Sequence, residues 1–131
     1  MNDFMFPLSL LKNIIGEGSV IEIDYPYEEN DNSKKRPAVV LYNCSEITLI
    51  ALKISSSKKF LNGSNFYAIE ISDLESAGLK KQSWVLTNKE LVVNINNKFT
   101  YLGTLSELDL EKVKAYHKLA LNKCIVSKQF F

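Results

Sequence analysis

The sequence contains few of the residues from which metal sites and nucleophilic triads are built. Its 131 residues include one histidine, His117, and two cysteines, Cys44 and Cys124, which lie far apart. A structural zinc site needs about four such ligands in close spacing, so we expect neither a metal nor another cofactor. His117 lies near lysines in the C-terminal part, and we predict that it is a surface residue of a helix. Two isolated thiols are typical of a reducing compartment and indicate a cytoplasmic protein.

Glycine-rich loops and long apolar runs are also missing. Gly16 and Gly18 lie close together, but without the lysine and the spacing of a phosphate-binding loop. No apolar run approaches the length of a membrane span, which argues against a membrane protein. The first 15 residues contain Asp3 and Lys12 and lack a basic leader, so they fit an arm or short helix better than a signal peptide. We therefore expect an N-terminal arm at 1–15 and a single domain at 16–131.

Arginine is the scarcest of the charged residues. The chain has 16 basic and 15 acidic residues, a net charge of +1, and its one arginine is Arg36. So small a net charge provides no overall attraction to nucleic acid, and an anionic partner would have to meet a local patch. The lysines form such local pairs at Lys34–Lys35, Lys58–Lys59 and Lys80–Lys81.

What the sequence has in abundance is short segments with the character of β-strands. "SVIEIDY" alternates between apolar and acidic residues, as a half-buried strand does. Further strands are predicted in "PAVVLY", "ITLIALKI", "FYAIEI", "SWVLT", "LVVNI" and "FTYLGTL". A short helical turn is predicted in "SDLESAGLKKQ", with Gly78 as its stop signal. Many short strands separated by turns predict a small barrel or sandwich.

The C-terminal part has the pattern of a helix. Ser106, followed three residues later by Asp109, resembles a capping box. Apolar or large residues then recur at helical spacing, at Leu110, Val113, Tyr116 or His117, and Ala120. We predict one amphipathic helix that packs against the sheet.

The most distinctive polar residues stand at the ends of two predicted strands. Arg36 precedes the strand "PAVVLY", and Ser55 to Ser57 follow the strand "ITLIALKI". A guanidinium offers phosphate a planar pair of donors that lysine lacks, and neighbouring hydroxyls can donate to the same phosphate. From these residues alone, Arg36 is equally a candidate for a surface ion pair with Glu29 or Asp31, and the serines for a plain turn.

The order of these segments resembles the MazF/PemK family of toxins. "GSVIEIDYPYEENDNSKKRPAVVLYN" is similar to the family's opening, in which a variable polar loop leads to an Arg-Pro pair before an apolar strand. "ITLIALKISSS" resembles its second landmark, a strand that ends in Thr-Ser or a similar pair. "LESAGLKKQSWVLTNKELVVNINNKFTYLGTLSELDLEKVKAYHKLAL" resembles the third, which ends in Leu-Gly-x-Leu before the final helix. The similarity extends over about residues 16–122.

The resemblance implies a fold, an activity and partners. The fold would be a mainly β (α+β) SH3-like barrel of the CcdB/PemK type, with about six to seven short strands and an amphipathic C-terminal helix. The activity would be sequence-specific cleavage of single-stranded RNA, often mRNA, without a metal, leaving a 2′,3′-cyclic phosphate and inhibiting translation and growth. The partners would be a second copy of the chain in a homodimer and a cognate antitoxin.

The resemblance also assigns roles to individual residues. The family's catalytic arginine falls on Arg36 and its threonine on Ser55. Contacts to RNA would then come from Ser56, from the neighbouring lysines and from the polar loop: Lys34, Lys35, Lys58, Lys59, Tyr27 and Asp31. The chain departs from the family pattern in having serine at position 55, and Thr87, Asn88 and Lys89 where the family has an acid or glutamine.

These departures leave a second interpretation open. A toxin-fold protein that has lost its activity would bind RNA, DNA or protein with the same surface. A gyrase poison of the CcdB type is a weaker alternative, because the chain ends in "SKQFF" and not in Trp-Gly-Ile. An SH3-like adaptor would need an aromatic groove, and it would tolerate substitution of Arg36.

Overall fold

The computed structural model describes residues 15–25, 34–45, 48–63, 65–94 and 99–130. Within these ranges the strands are β1 (Ser19–Tyr25), β2 (Lys34–Ser45), β3 (Thr48–Ser55), β4 (Ala68–Glu70), β5 (Trp84–Asn94), β6 (Phe99–Thr104) and β7 (Ser127–Phe130). The helices are α1 (Leu74–Ala77), α2 (Glu107–Asn122) and a 3-10 turn at Lys58–Phe60. The predicted arm is outside the described residues except for Ile15.

One sheet contains all seven of these strands. Its order is β4-β5-β3-β2-β1-β6, with β7 placed beside β5. The pairings are antiparallel apart from that of β5 with β7, which is parallel. The predicted mainly β architecture with one main helix is confirmed. No helix in the described ranges is long and apolar enough to cross a membrane.

Apolar residues are buried on both faces of this sheet. Because successive side chains of a strand point to opposite faces, alternate residues of β1, β2 and β3 belong to different clusters. One cluster joins the sheet to Ala77 of α1 and Val113 of α2, and it includes Val20, Val39, Leu52, Ile54 and Val85. The other includes Ile15, Ile21, Ile23, Ala38, Val40, Ala51 and Leu91. Beyond Ala51, the second face of β3 continues as Lys53 and Ser55.

Strand β5 differs from its prediction. "SWVLT" and "LVVNI" were predicted as two strands, but Trp84–Asn94 is one strand. Its register against β3 shifts, because Leu52 pairs with Glu90 whereas Lys53 pairs with Leu86. The intervening residues Thr87–Lys89 form a bulge, which we call the β5 bulge. The polar residues that suggested a break between two strands mark this bulge.

Two further strands differ from expectation. β4 covers only Ala68–Glu70 of the predicted "FYAIEI". β7 was not predicted, because "SKQF" has neither apolar alternation nor a bounding turn signal.

Helix α2 begins as predicted, but the prediction for His117 is wrong. The Ser106 hydroxyl oxygen accepts a hydrogen bond from the Asp109 N–H at 3.2 Å. His117 is 7% exposed, and its Nε2 lies 2.7 Å from a carboxylate oxygen of Glu90. His117 lies four positions after the buried Val113, so both lie on the face that packs against the sheet. Glu90 supplies the polar partner that a buried imidazole requires.

Asp109 connects α2 to the segment before α1. It is 2% exposed, and its carboxylate accepts hydrogen bonds from the Ser72 N–H, the Ser72 hydroxyl and the Asp73 N–H at 2.7–3.1 Å. Desolvation by burial acts to raise the pKa of this carboxyl, but the hydrogen bonds from Ser72, Asp73 and Ser106 outweigh it and lower the pKa below 3.8. The ionised carboxylate therefore stabilises the junction between the two helices.

Gly78 ends α1, as the sequence predicted. Its φ of 73° is in the left-handed region, and its N–H donates to the Glu75 carbonyl. A Cβ at this position would overlap the carbonyl oxygen of Leu102 in β6. The turn therefore requires glycine for its conformation and also for the close approach of α1 to β6.

Gly78→Ala should destabilise the fold more than a matched substitution at Gly63. Gly63 has a similar φ of 68°, but a Cβ there meets nothing within 4 Å. We expect Gly63→Ala to cost about 1–2 kcal/mol, the usual penalty of a left-handed conformation. Gly78→Ala should cost at least about 2 kcal/mol more, because the backbone of β6 must move. Urea titrations of both variants measure the difference, and equal values would rule out the steric argument.

Candidate functional site

Arg36 and Ser55 lie at the same end of adjacent strands. Arg36 of β2 pairs with Ile23 of β1. The ladder between β2 and β3 begins at the pair Ala38 and Lys53, so Arg36 and Ser55 are each two residues beyond that pair. Pro37 has no N–H to donate, which fits the end of the ladder at this point. Strand alternation places Arg36, Ser55 and Lys53 on one face of the sheet.

The serines after β3 form a defined turn. The Ser57 N–H donates to the Ser55 hydroxyl oxygen at 3.2 Å, and the Lys59 N–H donates to the Ser57 hydroxyl oxygen at 3.4 Å. The bond at Ser55 uses a lone pair of its oxygen, so the hydroxyl proton can still be donated. The half-buried Ser55 can therefore act as a donor to an anion.

A cleft of about 590 Å³ opens beside Arg36, and we call it the arginine cleft. Its polar and charged lining consists of Glu22, Lys35, Arg36, Ser56, Lys80, Lys81 and Ser83. Four cations face a single acid in this lining, so the cleft favours an anionic ligand. The lining includes Ser56 but not Ser55, so the predicted catalytic pair does not share this cavity.

The loop after α1 brings the lysine pair Lys80–Lys81 to this cleft. Gly78 and Leu79 begin the loop and also line the cleft. The hydroxyl of the buried Ser83 donates to the Lys81 carbonyl at 2.8 Å, which fixes the backbone that carries the pair. The loop is thus a defined wall opposite Lys35 and Arg36.

A second cleft of about 440 Å³ lies between the 3-10 turn and β5, and we call it the lysine cleft. Its lining consists of Lys53, Lys59, Phe60, Asn65, Leu86, Asn88 and Lys89. Three lysines, two amides and two apolar side chains in one cleft suit a ligand with phosphates and flat polar rings. Lys53 links this cleft to the face that carries Arg36 and Ser55.

Phe60 belongs to the wall of this cleft and does not offer an open ring for stacking. It is 8% exposed, and its ring centroid lies 5.9 Å from that of Trp84. The Lys59 ammonium lies 5.2 Å from the Phe60 ring centroid, a cation–π contact that orients the lysine.

The structure brings together some of the predicted site residues. Arg36, Lys35 and Ser56 share the arginine cleft, and Lys59 lies in the lysine cleft. Lys58 is exposed in the 3-10 turn, and Lys34 opens β2 opposite Tyr25. Tyr27 and Asp31 are outside the described residues, as is the proposed ion pair of Arg36 with Glu29 or Asp31.

Sequence reasoning missed several lining residues. Lys80 and Lys81 were recognisable as a pair, but their proximity to Arg36 depends on the packing of α1 against β6. Lys53 gave no signal, because it is a single lysine within a predicted strand. Lys89 was noted only as a departure from the family pattern and not as a binding residue. Among the described residues, no three His, Cys, Asp or Glu side chains are grouped to hold a metal ion.

Comparison with known proteins identifies the family. A model of the PemK-like, MazF-like toxins of type II toxin–antitoxin systems matches residues 17–121. No curated protein sequence matches the chain.

Two solved structures have a similar fold. One is from an endoribonuclease in complex with its cognate antitoxin from Mycobacterial species, with a TM-score of 0.64, 14% identity, and coverage of 82% of this chain and 94% of that chain. The other is from the MazE–MazF complex of Deinococcus radiodurans, with a TM-score of 0.60, 15% identity, and coverage of 82% and 95%. The family model matches most of the length of this chain. The chain therefore belongs to the PemK-like, MazF-like toxins of type II toxin–antitoxin systems.

Proposed function

We propose that this toxin is a sequence-specific endoribonuclease that cleaves single-stranded RNA without a metal ion. The observation that carries the proposal is the position of Arg36. The only arginine of the chain lines a cleft rich in cations, at the end of a strand whose neighbour ends in Ser55. Family membership and the fold shared with an endoribonuclease support this interpretation.

The proposed chemistry is cleavage by the neighbouring 2′-hydroxyl. The 2′-oxygen attacks phosphorus and loses its proton, the bond from phosphorus to the 5′-oxygen breaks, and that oxygen gains a proton. The products are a 2′,3′-cyclic phosphate and a 5′-hydroxyl. Arg36 compensates the negative charge that develops on phosphorus oxygens. Ser55 lies outside the arginine cleft but at the same end of the adjacent strand, and its hydroxyl donates to one of these oxygens when the phosphate lies at that strand end. A guanidinium rarely gives up its proton near neutral pH, so it is not readily available to accept one from the 2′-hydroxyl. The contribution of Arg36 is therefore mainly electrostatic.

The lysines of both clefts would bind the RNA backbone. Lys35, Lys80 and Lys81 do so in the arginine cleft, and Lys53, Lys59 and Lys89 in the lysine cleft. Such contacts hold the strand without reading its bases, and they weaken as salt increases. Sequence preference then comes from other groups, such as the amides of Asn65 and Asn88.

The proposal includes the biological setting of the enzyme. It acts in the cytoplasm as a homodimer that cleaves mRNA and inhibits growth, and a cognate antitoxin blocks it. The two solved structures described above are both of complexes with a partner of this kind, which supports the antitoxin partner.

A cleavage assay on a long single-stranded RNA in EDTA tests this function. We expect discrete fragments that carry 5′-hydroxyl ends, with recurring bases at the cut sites. If the folded protein retains RNA but leaves it intact, it is instead an inactive toxin homologue that binds RNA. Intact RNA without binding would point to a protein or DNA target.

A further inference from the structure

Strand β7 lies beyond residue 121, where the match to the family model ends. Its residues Ser127–Phe130 are all exposed, and Phe130 is 73% exposed. A strand that buries so little apolar surface adds little to the core. What it does provide is backbone pairing with Lys89–Val92 of β5.

This pairing begins at the β5 bulge. Ser127 pairs with Lys89, and its hydroxyl is within 3.5 Å of the Asn88 carbonyl oxygen, to which it donates. On the other side of the bulge, the Thr87 N–H and hydroxyl both donate to the Tyr67 carbonyl, at 2.9 and 2.8 Å. The bulge residues have no backbone partners in β3. The contacts of Asn88 with Ser127 and of Thr87 with Tyr67 therefore determine how the bulge is oriented.

The direction of β7 is fixed in turn by the end of α2. Cys124 has a φ of 56°, and the N–H groups of Cys124 and Ile125 donate to the carbonyls of Leu121 and Ala120. This tight turn sends the chain back along β5. Because α2 packs on β5, this turn places the start of β7 beside the bulge, with Ser127 next to Lys89.

From these contacts we infer that β7 is a positioning strand for the RNA site. It holds the β5 bulge so that the Asn88 amide and the Lys89 ammonium face the lysine cleft, opposite Lys53 and Lys59. This inference rests on the proposed function, since it assigns the cleft to the RNA strand. The C-terminal segment beyond the family match then belongs to the substrate site.

Paired variants of the full chain test the role of β7. Lys128→Pro/Gln129→Pro removes two consecutive N–H groups, so whichever of them donates to β5 is lost. Lys128→Ala/Gln129→Ala removes the same side chains and keeps both donors. Lys89→Ala, made in the wild type and in the proline background, reports whether β7 acts through Lys89.

The probe is a single-stranded oligodeoxynucleotide, which lacks the 2′-hydroxyl and is therefore not cleaved. Fluorescence anisotropy over a range of salt concentrations should show about five- to tenfold weaker binding by the proline variant, with a salt slope smaller by about 0.7. The alanine control should bind as the wild type does, and both should melt within a few degrees of it. In the proline background, Lys89→Ala should have no further effect.

Unchanged binding by a folded proline variant, or a full additional effect of Lys89→Ala, would overturn the inference. If the prolines unfold the chain, amide hydrogen exchange of the wild type decides the matter. The amides of Lys89–Val92 and Ser127–Phe130 must then gain protection when the oligonucleotide binds, and unchanged exchange overturns the inference. If the wild type binds the oligonucleotide but never cleaves RNA, the proposed ribonuclease activity is disproved. The test of the role of β7 in binding remains valid in that case.

Discussion

Arg36→Ala should reduce kcat/KM for RNA cleavage by about 10²–10³, the usual cost of removing one donor from an oxyanion site. The loss should fall mainly on kcat, because charge on phosphorus oxygens is greatest in the transition state. Arg36→Lys should recover only part of the rate, since an ammonium lacks the planar pair of donors. Initial rates on a fluorescent single-stranded RNA in EDTA measure all three proteins.

Lys118→Ala is the matched control for Arg36→Ala. Lys118 is exposed on α2, so its removal changes the net charge equally without touching either cleft. We expect its rate to stay within about twofold of the wild type. Arg36 is only half-buried at a strand end, so its variants should unfold within about 1 kcal/mol of the wild type. Equal rates for Arg36→Ala and the wild type would remove Arg36 from the mechanism.

A large loss of stability is also expected from Asp109→Ala. The substitution removes a buried carboxylate and leaves the Ser72 and Asp73 N–H groups without their acceptor. Donors that lose their acceptor beside a buried site cost about 1–3 kcal/mol each, so we expect a loss of about 3 kcal/mol and a Tm lower by about 10 °C. Glu111→Ala, an exposed acid on the same helix, should cost less than about 0.5 kcal/mol.

Asp109 also predicts how stability depends on pH. The pKa of its carboxyl is lower in the folded chain than the usual 3.8, so the ionised side chain stabilises the folded state more than the protonated side chain does. This contribution is fully present above the unfolded-state pKa, and it is lost as the pH falls through the lower, folded-state pKa. The free energy of unfolding should therefore fall below about pH 4, and less steeply in Asp109→Ala. Parallel curves for the two proteins would contradict this assignment.

Strands with clear apolar alternation could be predicted from the sequence, and the less regular elements could not. β1 coincides with "SVIEIDY", and the Ser106 cap and the Gly78 stop signal mark the ends of their helices. β7 is polar and forms only because α2 delivers it to β5, which is tertiary information. His117 was placed on the surface because its neighbours in sequence are lysines, but the face of α2 and the partner Glu90 decide its burial.

For the candidate site, the family pattern names individual residues, and the packing that assembles the clefts around them is not readable from the sequence. Arg36 and Ser55 could be assigned by resemblance, and the structure places them at the same end of adjacent strands. Lys53, Lys80, Lys81 and Lys89 come from separate elements whose proximity depends on the β5 bulge and on the approach of α1 to β6. No local pattern in the sequence encodes such proximity.

The alternation within β3 has a consequence for how such a toxin diverges. Leu52 and Ile54 are buried in the core, whereas Lys53 and Ser55, between and beyond them, belong to the candidate site. Stability and the proposed substrate contacts are thus assigned to different residues of one strand. Mutations can alter the charge and shape of the clefts while the core residues keep the architecture intact. The same fold can therefore persist at low sequence identity, as it does in the two solved structures at 14% and 15% identity.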